Sequence, residues 1–219
     1  MPVAKEGLPF IWFLVAAGTV LMLFPFRVLQ VLSVLSFALA IFAAFFFRDP
    51  ERTIRQDPFW ILAPGDGRIL EVTEEASPYL PGKFRVVKIF LSIFDIHVQR
   101  SPISGRVKSI EYKKGKFLDA RDPLASLENE NNTILIENER TAILVKQIAG
   151  FIARRIACWV RPGQSVRAGE RVGLIRFGSQ VDIFVPQDVE LCVAKGDSVA
   201  GGVSVVAILK ENMKVGGNA

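Results

Sequence analysis

From residue 7 to residue 47 the chain is an almost unbroken run of apolar side chains. After residue 57 it changes to short alternating stretches punctuated by Gly, Pro and Asp. The first pattern predicts helices. Two apolar runs, 8–24 and 28–47, flank Pro25-Phe26-Arg27, and Arg27 is the only charged residue between 7 and 47. Each run is close to the ~20 residues a helix needs to cross a bilayer. A secretory signal would be shorter and would end in a small-residue cleavage site, whereas this stretch ends in Phe45-Phe46-Phe47. A hydrophobic helical hairpin over 1–47 is therefore expected, either spanning the membrane or lying in one leaflet. Arg48, Arg52 and Arg55 follow directly. The positive-inside rule then puts the remaining domain, 48–219, on the cytoplasmic side of the cell membrane.

The second pattern predicts strands and tight turns. "WILAPGDGRILEVTE", "FRVVKIFLSIFDIHVQR", "GRVKSIEYKKGKF", "NTILIENERTAILVKQIAG" and "VGLIRFGSQVDIFVP" are short apolar-alternating runs bounded by turn residues. No long amphipathic helix is predicted, and only "GFIARRIACWV" could open as a short one. One repeat is visible. "CWVRPGQSVRAGERVGLI" (158–175) aligns with "LCVAKGDSVAGGVSVVAI" (191–208) at an offset of 33 residues, matching Val160 with Val193, Gly163 with Gly196, Ser165 with Ser198 and Gly169 with Gly202. Such a hairpin is similar to those of biotinyl and lipoyl domains. The expected fold is mainly β, a duplicated barrel-sandwich hybrid behind the N-terminal helical hairpin.

Composition narrows the function classes. Half of the 219 residues are hydrophobic and the mean hydropathy is +0.33, which suits a membrane-associated chain. The net charge of +5 is mildly basic and suits an anionic membrane surface. No basic stripe interleaves with stacking aromatics, so nucleic acid is not an expected partner; the one dense basic cluster, "EYKKGK", looks like a hairpin tip. Cys158 and Cys192 form neither a disulfide framework nor a metal-ligand spacing and read as small buried strand residues. With a single histidine, His97, a multi-histidine metal site is excluded, and no metal is expected.

Three positions carry candidate chemistry: Asp66 in "APGDGRI", His97 in "FDIHVQRSPISG" and Ser179 in "RFGSQVD". Each also has a plain structural reading, as a turn acid, a buried histidine and a Gly-Ser turn. A membrane-anchored Ser-His-Asp hydrolase would use the same three. The residue two after Ser179 is Val181, however, so the G-x-S-x-G nucleophile elbow is missing. A non-enzymatic membrane adaptor with lipoyl-like hairpins would insert a long coiled hairpin, and no run of three heptads occurs.

Taken together these contexts resemble the phosphatidylserine decarboxylases, in their short form. The matching pieces are "FFFRDPER", "APGDGRI", "IFLSIFDIHVQRSPISGRV", "NENN" before a strand, and "VRPGQSVRAGERVGLIRFGSQVDIFVP", in family order from about residue 45 almost to the end. The resemblance implies a proenzyme that cleaves itself between Gly178 and Ser179 into chains 1–178 and 179–219, which stay together as a heterodimer open to higher assembly. It implies a pyruvoyl group made from Ser179, in place of pyridoxal phosphate. That group forms a Schiff base with the serine amine of the lipid and accepts electrons as CO₂ leaves, giving phosphatidylethanolamine in phospholipid biosynthesis. His97 is the expected base for self-cleavage and Asp66 the residue that orients it. Longer members carry two histidines three residues apart. Here those positions are His97 and Arg100, so either one imidazole serves both steps or Arg100, water or another acid takes a share. Arg100 and Arg176 are candidates for the substrate phosphate.

Overall fold

The computed structural model describes residues 2–77, 79–119, 122, 124–150, 155–176 and 179–210. The chain divides into two compact units, Met1–Glu51 and Arg52–Ala219, a boundary four residues beyond the one expected from composition.

The first unit is the expected helical hairpin. Helix α1 (Leu8–Met22) takes Pro9 in its first turn, where a missing N–H costs nothing, and helix α2 (Arg27–Phe46) starts at the only charge of the stretch. Within such apolar helices the only strong glue is hydrogen bonding and close backbone approach. Both are present. Ser33 Oγ donates to the Gly18 carbonyl and Ser36 Oγ to that of Leu14, each at 2.7 Å. A Cβ on Gly18 would meet the Phe37 ring at 3.1 Å. Trp12, Phe13, Val28 and Ile41 point outward. Both helical stretches, Lys5–Met22 and Arg27–Phe46, are long and apolar enough to cross a membrane.

The second unit is built almost wholly of strands. They are β1 (Trp60–Leu62), β2 (Gly67–Ala76), β3 (Lys83–Leu91), β4 (Val98–Arg100), β5 (Gly105–Lys113), β6 (Asn131–Glu137), β7 (Ala142–Ala149), β8 (Ile156–Cys158), β9 (Ser165–Val166), β10 (Arg171–Ile175), β11 (Ser179–Pro186), β12 (Glu190–Leu191), β13 (Ser198–Val199) and β14 (Val205–Ile208). A one-turn helix, α3 (Ala125–Glu128), precedes β6. An eight-stranded antiparallel sheet runs β13-β2-β3-β11-β7-β6-β5-β9, and two three-stranded sheets, β1-β14-β12 and β4-β10-β8, complete the unit. The large sheet curls around one main core, to which alternate residues such as Ile89, Ile134, Val145, Val181 and Ile183 contribute. The mainly β class and the helical hairpin are as the sequence predicts.

The 33-residue repeat is a structural one. In its two copies Gly163 and Gly196 have φ of +86° and +96°, and Gly169 and Gly202 of +78° and +73°, left-handed conformations that favour glycine. Each copy docks the same way: Gly163 N–H donates to the Val107 carbonyl at 2.7 Å and Gly196 N–H to that of Ile69 at 2.9 Å. Their docking partners form a second repeat that sequence reading missed. "APGDGRI" (63–69) and "SPISGRV" (101–107) play equivalent parts at an offset of 38: Arg68 Nε donates to the Gly196 carbonyl and Arg106 Nε to that of Gly163, each at 2.9 Å.

Two expectations are corrected. Residues 156–158 of the expected short helix form strand β8, paired with β10, because "IAC" supplies the antiparallel partner for Gly173–Ile175; residues 151–154 lie outside the described set. Cys158 and Cys192 are exposed, not buried. Cys158 lies on β8 and Cys192 directly follows β12, the edge strands of the two small sheets, where an outward side chain meets solvent.

Candidate active site

Ser179 is the first residue of β11, the strand held between β3 and β7 in the large sheet. It lies opposite Leu91 on one side and Ala149 on the other. Strand alternation puts its side chain on the same face as Val181 and Ile183, in the core. It is fully buried, and its Oγ has no hydrogen-bond partner among the described residues. Leaving a buried hydroxyl unsatisfied costs roughly 1–3 kcal/mol, so an orphan of this kind needs a reason. The chain reaches Ser179 by crossing from the β4-β10-β8 sheet into the large sheet. Gly178, the expected cleavage partner, and Phe177 lie outside the described residues.

His97 immediately precedes β4 and is also fully buried. Its main chain lies beside β10, with Ile175 N–H donating to the His97 carbonyl at 3.2 Å, four residues before Ser179. Its Nδ1 is 3.0 Å from the Asp95 carbonyl. A carbonyl only accepts, so Nδ1 is the donor in this contact.

Behind His97 runs a buried amide relay. Gln99 Nε2 donates to the His97 carbonyl at 2.7 Å, Gln147 Nε2 to Gln99 Oε1 at 2.8 Å, and Asn132 Nδ2 to Gln147 Oε1 at 2.8 Å. Gln147 lies opposite Val181 and so shares the face of Ser179. Gly173 leaves room for it: a Cβ there would stand 2.7 Å from Gln147 Nε2. None of the three relay residues was given a role in the sequence, although Asn132 closes the "NENN" piece and Gln99 lies two residues after His97. The available signal was a polar residue at an inward position of an alternating strand, as in "LVKQIAG". The "NENN" stretch fixes the neighbouring strand end. Asn129 donates to the carbonyls of Ala149 at 2.8 Å and Leu118 at 2.9 Å.

Asp66 sits in the turn before β2. Arg52 grips it with two hydrogen bonds of 2.7 Å, and Gly201 N–H donates to its Oδ1 at 2.8 Å. Arg52 also donates to the Gly201 carbonyl. None of the hydrogen bonds of Asp66 reaches His97. Its repeat-related counterpart, Ser104, accepts from Ala168 N–H at 2.9 Å in the same manner. Arg100 is buried, with its guanidinium donating to the Gly169 carbonyl at 3.0 Å, so it clamps a hairpin from within. Arg176 is partly exposed and ends the segment before Phe177.

The other face of β11 is covered too, carrying Gln180 and Asp182 beside Phe184, which joins a second apolar cluster with Phe84, Val86, Leu135 and Leu144. Asp182 is fully buried, and burial pushes its carboxyl up to about 6, against the opposing pull of the Gln180 hydrogen bond and of Lys146 and Lys88. Burial pulls Lys146 down, opposed by Asp182 and Glu75. For Lys88 burial is outweighed by hydrogen bonds to Glu71 and Glu75, which hold its ammonium above the usual range. Among the described residues no group of three or more His, Cys, Asp or Glu could hold a metal ion.

The sequence profile of the phosphatidylserine decarboxylases matches residues 39–207. The chain belongs to the phosphatidylserine decarboxylase family. Its relatives include a phosphatidylserine decarboxylase proenzyme of Carboxydothermus hydrogenoformans, 45% identical over 208 residues that cover 94% of this chain and 96% of the relative. Another, from Chlorobium phaeobacteroides, is 44% identical over 189 residues, 86% of this chain and 89% of the relative. A third, from a Wolbachia of Brugia malayi, is 50% identical over 175 residues, 77% and 76% of the two chains. The matched span includes Ser179, whose buried hydroxyl has no hydrogen-bond partner among the described residues.

Proposed function

We propose that this chain decarboxylates phosphatidylserine to phosphatidylethanolamine, after cleaving itself between Gly178 and Ser179 to make a pyruvoyl group at residue 179. The observation that carries the reading is the Ser179 hydroxyl: buried, without a hydrogen-bond partner among the described residues, and placed after a glycine where the chain crosses between sheets.

Ser179 Oγ attacks the Gly178 carbonyl carbon. The O–C bond forms as the C–N bond breaks, and the hydroxyl proton passes to the released amine. His97, whose ring is oriented by Nδ1–H donating to the Asp95 carbonyl, is the base that relays it. Loss of the Ser179 Cα proton and of the Gly178 carboxylate from Cβ then leaves an unsaturated amine, and water replaces its nitrogen, releasing ammonia. The resulting pyruvoyl group supplies an electron-accepting carbonyl to an amine-bearing substrate that loses CO₂.

The chain's own residues prepare this step. The relay of Gln99, Gln147 and Asn132 fixes the His97 main chain. Asp66, with Arg52, secures the turn before β2 against Gly201 and acts on the His97 strand through Pro64, whose carbonyl accepts from Arg100 N–H at 2.8 Å. Arg176, partly exposed beside the site, is the better placed of the two candidate phosphate ligands; Arg100 is buried under Gly169.

Cleavage does not free the short chain. β11 is bonded to β3 along Ser179–Pro186 and to β7 along Ser179–Phe184, while β13 pairs with β2 and β14 with β1. The products 1–178 and 179–219 therefore form a heterodimer. The apolar helices suit a lipid substrate, and the arginines after them favour a cytoplasmic catalytic unit at the cell membrane. The test is CO₂ release and phosphatidylethanolamine formation by the purified full chain on phosphatidylserine in mixed micelles. The parent is expected to turn over and Ser179→Ala to be inert and uncleaved; equal activity in both would overturn the assignment.

A further inference from the structure

Strand register collects several connections at one end of the large sheet. Leu91 ends β3 opposite Ser179, and Ala149 ends β7 opposite it. Asn131 begins β6 opposite Ile148 of β7 and Lys113, which ends β5. The turn after β3 and the segment between β5 and β6 therefore leave from the end at which Ser179 lies.

Both connections carry outward apolar side chains. In the first, Ile93 is 36% and Phe94 63% exposed; in the second, Leu124 is 50% and Leu127 64% exposed. These side chains are held outward by local bonding. Ser92 N–H donates to Asp95 Oδ2 at 2.8 Å, Asp95 N–H to the Ser92 carbonyl at 2.9 Å, and Phe94 N–H to Ser92 Oγ at 3.3 Å. Leu124 N–H donates to Asp122 Oδ1 at 2.9 Å, and α3 buries Ala125 and Ser126 while presenting Leu127. Beside them lie Lys113 and Lys114, exposed members of the basic cluster that the chemistry above does not use. Isolated surface leucines need no explanation, but apolar tips gathered on one rim beside lysines do.

Of the other charges on these connections, Asp95 accepts from Ser92 N–H, Asp122 from Leu124 N–H, and Glu128 pairs with Lys116. We propose that this rim, with Ile93, Phe94, Leu124 and Leu127 as its apolar tips and Lys113 and Lys114 as its exposed cations, is an interfacial surface that seats on a leaflet containing anionic phospholipid. Apolar tips dip below the headgroups while lysines meet their charge. The proposal rests on the Ser179 reading and extends it. Phe94 is three residues from His97, and Leu91 pairs with Ser179. Seating the rim brings position 179 to headgroup level, so the serine end of a lipid reaches it while the tails stay in the bilayer.

The test uses the full chain reconstituted in vesicles of phosphatidylcholine and phosphatidylserine. In Phe94→Trp, brominated lipid should quench fluorescence beyond the level of the parent; no added quenching overturns the proposal. In the double variant Phe94→Ser/Leu127→Ser, the surface concentration of phosphatidylserine needed for half-maximal rate should rise ~10-fold or more, the scale of removing two apolar anchors. Turnover of monomeric short-chain phosphatidylserine and cleavage into two chains should persist. An unchanged vesicle rate, an equal loss on both substrates, or a double variant that changes oligomeric size instead would each overturn it, the last making the rim a contact between copies. Quenching without any turnover by the parent would fault the decarboxylase reading and leave the rim standing.

Discussion

Arg52 and Asp66 give the sharpest test of how the turn before the site is held. Their side chains are only 12% and 17% exposed, and the guanidinium spans both carboxylate oxygens while reaching the Gly201 carbonyl. Breaking a fully buried pair by removing one partner costs about 3–5 kcal/mol, and an exposed pair is worth under about 1 kcal/mol. With most but not all solvent excluded, Arg52→Met should cost about 2–3 kcal/mol, since Asp66 keeps only the Gly201 N–H. For a chain of this length that is a fall of roughly 5–10 °C in Tm. Asp66→Asn should cost a similar amount, and the double variant should fall short of the sum by at least about 1 kcal/mol because the two changes remove one interaction. The measurement is thermal unfolding of the detergent-solubilised protein in a Ser179→Ala background, so that cleavage does not blur the transition. Additive losses would refute the shared clamp. Cleavage rates in the Ser179 background complete the cycle. Both single variants should slow maturation together, whereas slowing by Asp66→Asn alone would mean that Asp66 acts on His97 without Arg52.

Asp182 predicts a pH dependence. Burial pushes its carboxyl up to about 6 from an ordinary 3.8, so the folded state holds its proton more tightly. The stability linked to that proton is full below about pH 4, falls as pH rises toward 6, and is gone above it, a loss of up to about 3 kcal/mol. Asp182→Asn should therefore gain in Tm relative to the parent as pH goes from 4 to 7, by less than the full amount because Lys146 loses its counter-charge; a difference independent of pH would contradict the assignment. His97→Gln should slow self-cleavage by ~10²-fold or more, the usual worth of a general base, followed as the disappearance of full-length chain on a denaturing gel. Maturation at the parent rate would remove His97 from that role.

The helical hairpin was legible because a membrane-length apolar stretch leaves few alternatives: runs 8–24 and 28–47 became Leu8–Met22 and Arg27–Phe46. The 33-residue repeat was legible because each copy needs glycine at the same two left-handed positions. Its partner repeat escaped notice. "APGDGRI" and "SPISGRV" share only Pro, Gly and Arg, and the same backbone N–H is met by a carboxylate in one and a hydroxyl in the other. Asp66 was found as a residue, but a turn signal does not reveal which cation lies against it, and Arg52 is 14 residues away in sequence. The amide relay behind His97 was invisible for a related reason: Gln99, Gln147 and Asn132 come from three strands, and only the register brings them into line. Ser179 was read from its motif alone. Its burial also bears on the hydrolase alternative, since a hydrolytic serine must meet its substrate and this one is buried.

If Ser179 turns into a carbonyl group by cutting the chain before it, the intact mass of the purified protein under denaturing conditions records the change. Two chains are expected, 1–178 with an ordinary carboxyl end and 179–219 lighter by one ammonia than its sequence. A single full-length chain, or a short chain that keeps its serine amine, would contradict it.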